Sequence, residues 1–308
     1  MIRTADINES ASNERDMGVI DRIVSGVARR VGTWPLMAVG PRRRAEVLES
    51  VSDNMIHVAP VPGGGIRFFA PTPLLLRRAE SVLSKEPDTI RWIDGFKEGA
   101  VFWDIGANVG VFSLYAAIRR PVAVLAFEPS APNYYVLARN IQLNGLCDRV
   151  SAYSVALSAR TELASLNLAS PSLGMSLSHF GLPGQQSPYA ETQHQTANHG
   201  AIGFSIDEFV ARFNPPFPTH VKIDVYGIEL PILEGARNLL CDPRLESLIV
   251  ELSLSDPVER RQAMSLLEDA GLQLTSQGET QETATAKGAN HLFTRNAGPA
   301  SGNGRLKQ

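Results

Sequence analysis

Cysteine is scarce in this sequence, which has only two cysteines among 308 residues. Cys147 and Cys241 lie far apart, and neither belongs to a Cys-x-x-Cys motif. This spacing excludes a disulfide framework and a structural zinc site built from cysteines. Both side chains are predicted to be reduced thiols, as is usual in a cytoplasmic protein.

An excess of charge of either sign is also absent. The 29 lysines and arginines nearly balance the 32 aspartates and glutamates, and the formal net charge is −3. No nucleic-acid partner is therefore predicted, and the run of arginines at 42–44 is interpreted as a solvated surface patch.

Long hydrophobic runs are lacking as well. Although 44% of the residues are hydrophobic, no apolar run approaches the roughly 20 residues that a membrane helix needs. The first sixteen residues are polar and acidic, without the apolar segment of a signal peptide. These absences predict no membrane partner and a cytoplasmic location.

The composition changes along the chain and predicts four segments. They are a disordered N-terminus at 1–16, a helical and hairpin extension at 17–95, a main domain at 96–295 and a disordered tail at 296–308. The hairpin of the extension is predicted at 56–71, with its turn at Gly63–Gly65.

Short apolar strands alternate with amphipathic helices from residue 101 onward. The predicted strands are 101–105, 122–128, 149–157, 220–225 and 247–253, followed by a hairpin of 272–277 and 290–295. The predicted helices begin near 111, 131, 205, 229 and 256. The polar segment 160–204 is interpreted as a hairpin with long loops. This alternation predicts an α/β fold with a mostly parallel sheet, whose ligands bind at the carboxyl ends of the strands.

Two features at that edge predict a cofactor that contains a nucleoside. The first is the loop of Asp104, Gly106, Asn108 and Gly110, in which glycines let the backbone approach a ligand. The second is Glu128, about 20 residues past the loop, where a carboxylate can accept both hydroxyls of a ribose. Asn108 occupies a position where dinucleotide-binding loops have glycine, which favours S-adenosylmethionine over a nicotinamide dinucleotide.

These segments together resemble the FkbM family of S-adenosylmethionine-dependent methyltransferases over about 90–295. The resemblance rests on "VFWDIGANVGVFSLYA", "AFEP", "NYYVLARNIQLN", "SVALS", "SIDEF", "HVKIDVYGIELPILEGA" and "IVELS". It implies a Rossmann-like sheet of seven strands, mostly parallel, with an antiparallel last strand. It also implies methylation of hydroxyl groups on sugars, glycans or polyketide-like acceptors.

The resemblance assigns the cofactor-binding residues by position. The methionine end would lie against Asp104, Gly106, Asn108 and Gly110, the ribose against Glu128, and the adenine near Ala156.

Candidates for catalysis cluster after the fourth strand of the predicted sheet. Asp224 ends that strand on the cofactor side and is predicted to be catalytic, together with Glu229 at the start of the next helix. Glu229 can equally act as a helix cap. Lys222 is predicted to pair with one of the acids, and Glu251 ends the fifth strand at the same edge.

One position departs from the family pattern, because Tyr226 stands where the family has Glu in "KIDVEG". Tyrosine is a poor base near neutral pH, since its pKa is about 10. His179, His194 and His199 lie in the polar segment without a regular ligand spacing and are interpreted as loop residues. No metal is predicted, although Asp224 and a neighbouring carboxylate can hold a divalent ion.

The predicted function is therefore an S-adenosylmethionine-dependent O-methyltransferase that acts on a small molecule or glycan. Two alternatives remain at this point: a cofactor-binding protein without catalysis, suggested by Tyr226, and a nicotinamide-dependent oxidoreductase on the same fold. N-methylation is a further possibility, because a neutral amine needs no strong base. The oligomeric state is open.

Overall fold

The computed structural model describes residue 36 and residues 38–176, 178–181, 197–282 and 287–295. Contacts divide the chain into two compact units, residues 1–55 and 56–308. The predicted disordered segments at 1–16 and 296–308 lie outside the described residues. No helix among the described residues is both long and apolar enough to cross a membrane.

The described part of the first unit contains one helix, α1 (Pro41–Asp53), which begins with proline at its first turn. Proline is favoured there because the first N–H groups of a helix have no partner within it. None of the residues of α1 is buried.

The second unit begins with a hairpin and two helices. These are β1 (Ile56–Val61), β2 (Gly64–Phe69), α2 (Pro73–Glu80) and α3 (Pro87–Asp94). Val61 pairs with Gly64, so the turn is formed by Pro62 and Gly63 and the two following glycines belong to β2.

The alternating part of the chain follows. Its elements are β3 (Val101–Ile105), α4 (Val111–Arg119), β4 (Ala123–Phe127), α5 (Ala131–Leu143), β5 (Val150–Tyr153), β6 (Ala156–Ser158), β7 (Glu162–Leu168), β8 (Ser178–Gly181), β9 (Ala197–Ser205), α6 (Ile206–Phe213), β10 (His220–Ile223), α7 (Glu229–Glu234), α8 (Arg237–Cys241), β11 (Ser247–Ser253), α9 (Pro257–Asp269), β12 (Leu272–Gln277), β13 (Gln281–Glu282) and β14 (Lys287–Arg295).

Seven strands form the main sheet in the order β12-β14-β11-β10-β3-β4-β5. The short strand β13 pairs with the first two residues of β14. Pairs from β5 through β11 are parallel, whereas β14 is antiparallel to both of its neighbours. The predicted mostly parallel sheet with an antiparallel last strand is confirmed. The strand order reverses between β3 and β10, which is where ligands bind in open α/β sheets.

The main sheet is buried on both faces because its strands alternate between two hydrophobic cores. On one face, Phe102 and Val124 pack with α4 and the β1–β2 hairpin. On the other, Trp103 and Leu125 pack with α6, α7 and α9. In β4 both side-chain sets are apolar, as expected for a parallel sheet covered by helices.

The polar segment has more regular structure than the predicted hairpin with loops. A second sheet has the order β6-β9-β7-β8, in which β7 is antiparallel to both β8 and β9. The predicted strand at 149–157 is divided into β5 and β6, which belong to different sheets. The predicted helix at 229–240 is also divided, at Gly235, where a Cβ atom would lie 2.3 Å from the carbonyl oxygen of Ser158.

Candidate active site

A cavity of about 510 Å³ lies at the carboxyl ends of β3, β4, β10 and β11. This volume lies within the range of about 300–1,000 Å³ that is usual for small-molecule sites. Residues near or after the carboxyl ends of all four strands line it, together with residues of α2 and the segment that follows it, of α5, of the second sheet and of β14. The cavity is therefore the candidate binding site for both cofactor and acceptor.

The loop between β3 and α4 brings its backbone to this cavity. Gly106, Asn108 and Gly110 have φ values of +83°, +51° and +87°. Residues other than glycine rarely adopt positive φ values of this kind. At Gly106 a Cβ atom would lie 2.0 Å from the carbonyl oxygen of Asp224. Glycine is required there because the loop passes directly against the end of β10.

The predicted loop residues differ in their exposure to the cavity. Gly106 and Asn108 line it, whereas Asp104 and Gly110 do not. Gly110 faces α5 instead, where a Cβ atom would lie 2.6 Å from Leu137 Cδ1. Its small size therefore serves the packing of α4 against α5.

Glu128 follows β4 and lines the cavity, with only 5% of its surface exposed. Its Oε2 accepts a hydrogen bond from Asn108 N at 2.8 Å, and its Oε1 accepts one from Ser130 N at 2.8 Å. Burial raises its pKa to about 7, against the lowering effect of these hydrogen bonds. A carboxylate has about four acceptor positions, so about two remain open toward the cavity.

An apolar region of the cavity lies beside Glu128. Phe127, Val155, Ala156 and Leu157 form it. Ala156, predicted to lie near the adenine, is thus on the cavity surface, at the start of the second sheet.

A short loop between β7 and β8 contributes to the cavity wall and is held by hydrogen bonds from three side chains that lie far from it in the sequence. Gly174 O accepts from Arg78 Nε at 2.6 Å, and Gly174 N donates to Asn133 Oδ1 at 2.9 Å. The next carbonyl, of Met175, accepts from Asn133 Nδ2 and Asn108 Nδ2. The loop thereby joins α2, α5 and the glycine loop.

Lys222 on β10 is fully buried among acids. Its Nζ lies 2.6 Å from Asp224 Oδ2 and 3.6 Å from Glu86 Oε2, and 4.7 Å from the ring centre of Phe112. Burial lowers the pKa of the lysine, but Asp224, Glu86 and Asp104 outweigh this effect and raise it above its usual value. The predicted pairing of Lys222 with an acid is present, and Glu86 is a second partner that the sequence did not indicate.

Asp104 is a buried member of the same charged cluster. It is 1% exposed, and Ser113 Oγ donates to its Oδ2 at 2.6 Å. Burial raises its pKa to about 6, against the opposing effect of Lys222.

Two carboxyl groups of the cluster line the cavity, Asp224 and Glu251. Burial tends to raise the pKa of Asp224, but Lys222 reverses this and holds it below its usual range. The pKa of Glu251 rises to about 9 through burial and then through the nearby Asp224. Asp224 therefore favours its ionised form and Glu251 its protonated form.

Glu229 and Tyr226 differ in their place at the site. Glu229 is 8% exposed, does not line the cavity, and its Oε1 accepts from Gly227 N at 3.3 Å. Burial raises its pKa to about 8. Tyr226 does line the cavity.

The histidines of the polar segment contribute nothing to the cavity surface among the described residues. His179 is buried, and burial lowers its pKa. His199 accepts from Ala131 N at 3.4 Å. His194 lies outside the described residues.

The strand order, the loop at the end of β3 and the carboxylate after β4 define a Rossmann-like enzyme that binds a nucleoside cofactor. The sequence model of the methyltransferase FkbM domain matches residues 104–274, more than half of the 308-residue chain. The chain belongs to this family, and the predicted resemblance is confirmed.

Two relatives and one solved structure are similar to this chain at sequence identities of 28%, 28% and 12%. Hexuronic acid methyltransferase AglP of Haloferax volcanii is 28% identical over 220 residues, which cover 70% of this chain and 81% of that protein. Methyltransferase sdnD of Sordaria araneosa is 28% identical over 202 residues, 56% and 73% of the two chains. M. capricolum TrmK in complex with S-adenosyl-homocysteine is 12% identical, with 67% of each chain covered and a TM-score of 0.40.

The protein is accordingly a methyltransferase, and its cofactor is S-adenosylmethionine. Its residues fit this cofactor, because Glu128 retains open acceptor positions and the buried Asn108 Oδ1 has no hydrogen-bond partner among the described residues. The nicotinamide alternative is not supported.

Proposed function

We propose that the protein transfers the methyl group of S-adenosylmethionine to a hydroxyl oxygen of a sugar, glycan or polyketide-like acceptor. The printed name of one relative, a hexuronic acid methyltransferase, supports a sugar acceptor. A hexuronic acid carries hydroxyl groups and a carboxylate, so the atom that is methylated must be determined by experiment.

The proposal rests chiefly on the two carboxyl groups, Asp224 and Glu251, that line the cavity next to the glycine loop. Bound S-adenosylmethionine supplies an electrophilic methyl group. A hydroxyl oxygen that takes up a methyl group must lose its proton, and a nearby carboxylate can accept it. A cavity lined only by apolar groups would instead suit an amine or a thiolate acceptor.

The two carboxyl groups have different proposed tasks. Asp224, kept ionised by Lys222, accepts a hydrogen bond from the acceptor hydroxyl and orients it. Glu251, with its pKa of about 9, is a stronger base than an ordinary carboxylate once it is ionised. Glu229 is proposed to hold the loop after β10 through Gly227 N, and so to position Asp224.

The first experiment incubates the purified protein with S-adenosylmethionine labelled in the methyl group and a panel of hexuronic acids, neutral sugars and polyhydroxylated polyketides. Transfer to a hydroxyl yields a methyl ether that resists mild alkali, whereas transfer to a carboxylate yields an ester that mild alkali cleaves. Carbon NMR of the labelled product identifies the methylated position. An ester or an N-methyl product would contradict the proposal.

Two variants test the assignment of residues. D224N removes the ionised carboxylate, and we expect turnover to fall about 100-fold or more with little change in cofactor affinity. E229Q keeps the acceptor oxygen for Gly227 N, so its loss should be smaller. A larger loss in E229Q would transfer the catalytic role to Glu229, and cofactor binding without turnover on any acceptor would favour the non-catalytic alternative.

A further inference from the structure

Arg78 brings a positive charge to the cofactor side of the cavity from α2, outside the region matched by the family model. It lines the main cavity and also an adjoining space of about 40 Å³ whose other borders include Gly106, Asn108 and Asp224. Arg78 therefore lies beside the glycine loop.

The position of this guanidinium is held by the protein backbone. Its Nε donates to Gly174 O at 2.6 Å. Gly174 has a φ of +78°, and a Cβ atom there would lie 3.5 Å from Arg78 Cδ and Nε. This contact uses one of the five N–H donors of the arginine and leaves its two terminal nitrogens for another partner.

Among the residues that the structure describes, no ion pair includes Arg78, so no carboxylate there pairs directly with its guanidinium. Burial lowers its pKa, while Asp224, Glu128 and Glu86 raise it from a greater distance. A partly buried cation without a direct anionic partner is costly, and arginine matches a carboxylate through two parallel hydrogen bonds.

S-adenosylmethionine carries its carboxylate at the methionine end, opposite the ribose and adenine. We infer that Arg78 binds this carboxylate and so makes α2, which precedes the family domain, part of the cofactor site. The other cations at the cavity are less suited: Arg77 is exposed, and Lys85 Nζ already lies 3.1 Å from Glu86 Oε1. The inference does not depend on the acceptor or on the atom that is methylated.

The test compares two ligands by calorimetry, S-adenosylhomocysteine and 5′-deoxy-5′-methylthioadenosine, which lacks the carboxylate and ammonium. In R78Q we expect the affinity for S-adenosylhomocysteine to fall about 10- to 100-fold, the range of a charge-assisted hydrogen-bonded pair. The affinity for methylthioadenosine should stay within about threefold. R78K should lose less, because it retains the charge but not the paired donors.

The same measurements can overturn the inference. Equal losses of affinity for both ligands would mean that Arg78 acts only by holding the Gly174 loop. Unchanged affinity for S-adenosylhomocysteine would mean that the anion bound by Arg78 is a different one, for example an acidic acceptor. R77Q is the matched control on the same helix. If R77Q lowered the affinity for S-adenosylhomocysteine as selectively as R78Q, the loss would reflect the overall positive charge near the cavity and not a direct contact of Arg78.

Discussion

Lys222 is a single cation in contact with several buried acids, and its replacement by methionine is expected to destabilise the protein strongly. Its ammonium lies 2.6 Å from Asp224 and 3.6 Å from Glu86, and its side chain is 1% exposed. Methionine has a similar length and keeps the apolar packing, so K222M removes mainly the charge. Breaking a buried ion pair on one side costs about 3–5 kcal/mol, because Asp224 stays buried after it loses the ammonium that holds its pKa below the usual range.

For a unit of this size that loss corresponds to a melting temperature lower by roughly 6–20 °C. The effect must also depend on pH. Without Lys222 the pKa values of Asp224 and Asp104 rise in the folded state, so the folded variant binds more protons than the unfolded chain. Its stability then decreases as pH rises through those pKa values, and the deficit relative to wild type is expected to be larger at pH 8 than at pH 5.

The assay is thermal unfolding of K222M and wild type at both pH values. K97M is the control, because Lys97 forms a similar pair with Glu246 at 3.3 Å but has a side chain that is 80% exposed. Exposed pairs contribute about 0–1 kcal/mol, so K97M should melt within about 4 °C of wild type. A K222M deficit that equals that of K97M, or that does not change with pH, would refute the reasoning.

Three further outcomes follow from the cavity. E128Q should lower the affinities for S-adenosylhomocysteine and methylthioadenosine equally, by about 10-fold in calorimetry. A loss of affinity confined to one ligand would contradict a ribose contact. G106A should abolish cofactor binding and lower the melting temperature, because its Cβ atom would lie 2.0 Å from a carbonyl oxygen; G200A, with nothing within 4 Å, should do neither. Turnover should rise with pH toward about 9, the pKa of Glu251, and D224N should move this rise to lower pH; a flat profile in wild type would argue against Glu251 as the base.

Several features of the fold were predictable because they are local. Hydrophobic periodicity distinguishes strands from helices over about ten residues, and it located the strands that became β3, β4, β10 and β11. The glycines of the loop at 106–110 and the acid at Glu128 follow from the same reasoning, since a fixed number of residues separates them from strands whose carboxyl ends share one edge.

Other boundaries depended on contacts that no local pattern contains. The helix predicted at 229–240 is divided at Gly235, where the carbonyl oxygen of Ser158, in the second sheet, leaves no room for a Cβ atom. The strand predicted at 149–157 contains no glycine or proline that would divide it. Only the pairing of its second half with β9 assigns that half to the second sheet.

The sequence by itself determined the fold class, the family and the edge of the sheet at which the candidate site lies. Only the tertiary structure decided which partners the charged groups meet there. Arg78 reaches the carbonyl of Gly174 across 96 residues of sequence, and Glu86 reaches Lys222 from the position just before α3, ahead of the family domain. The physical reason is that apolar periodicity reports burial along each element separately. The pKa of a buried acid depends instead on a few partners within several ångströms, and the packing of distant elements determines which partners those are.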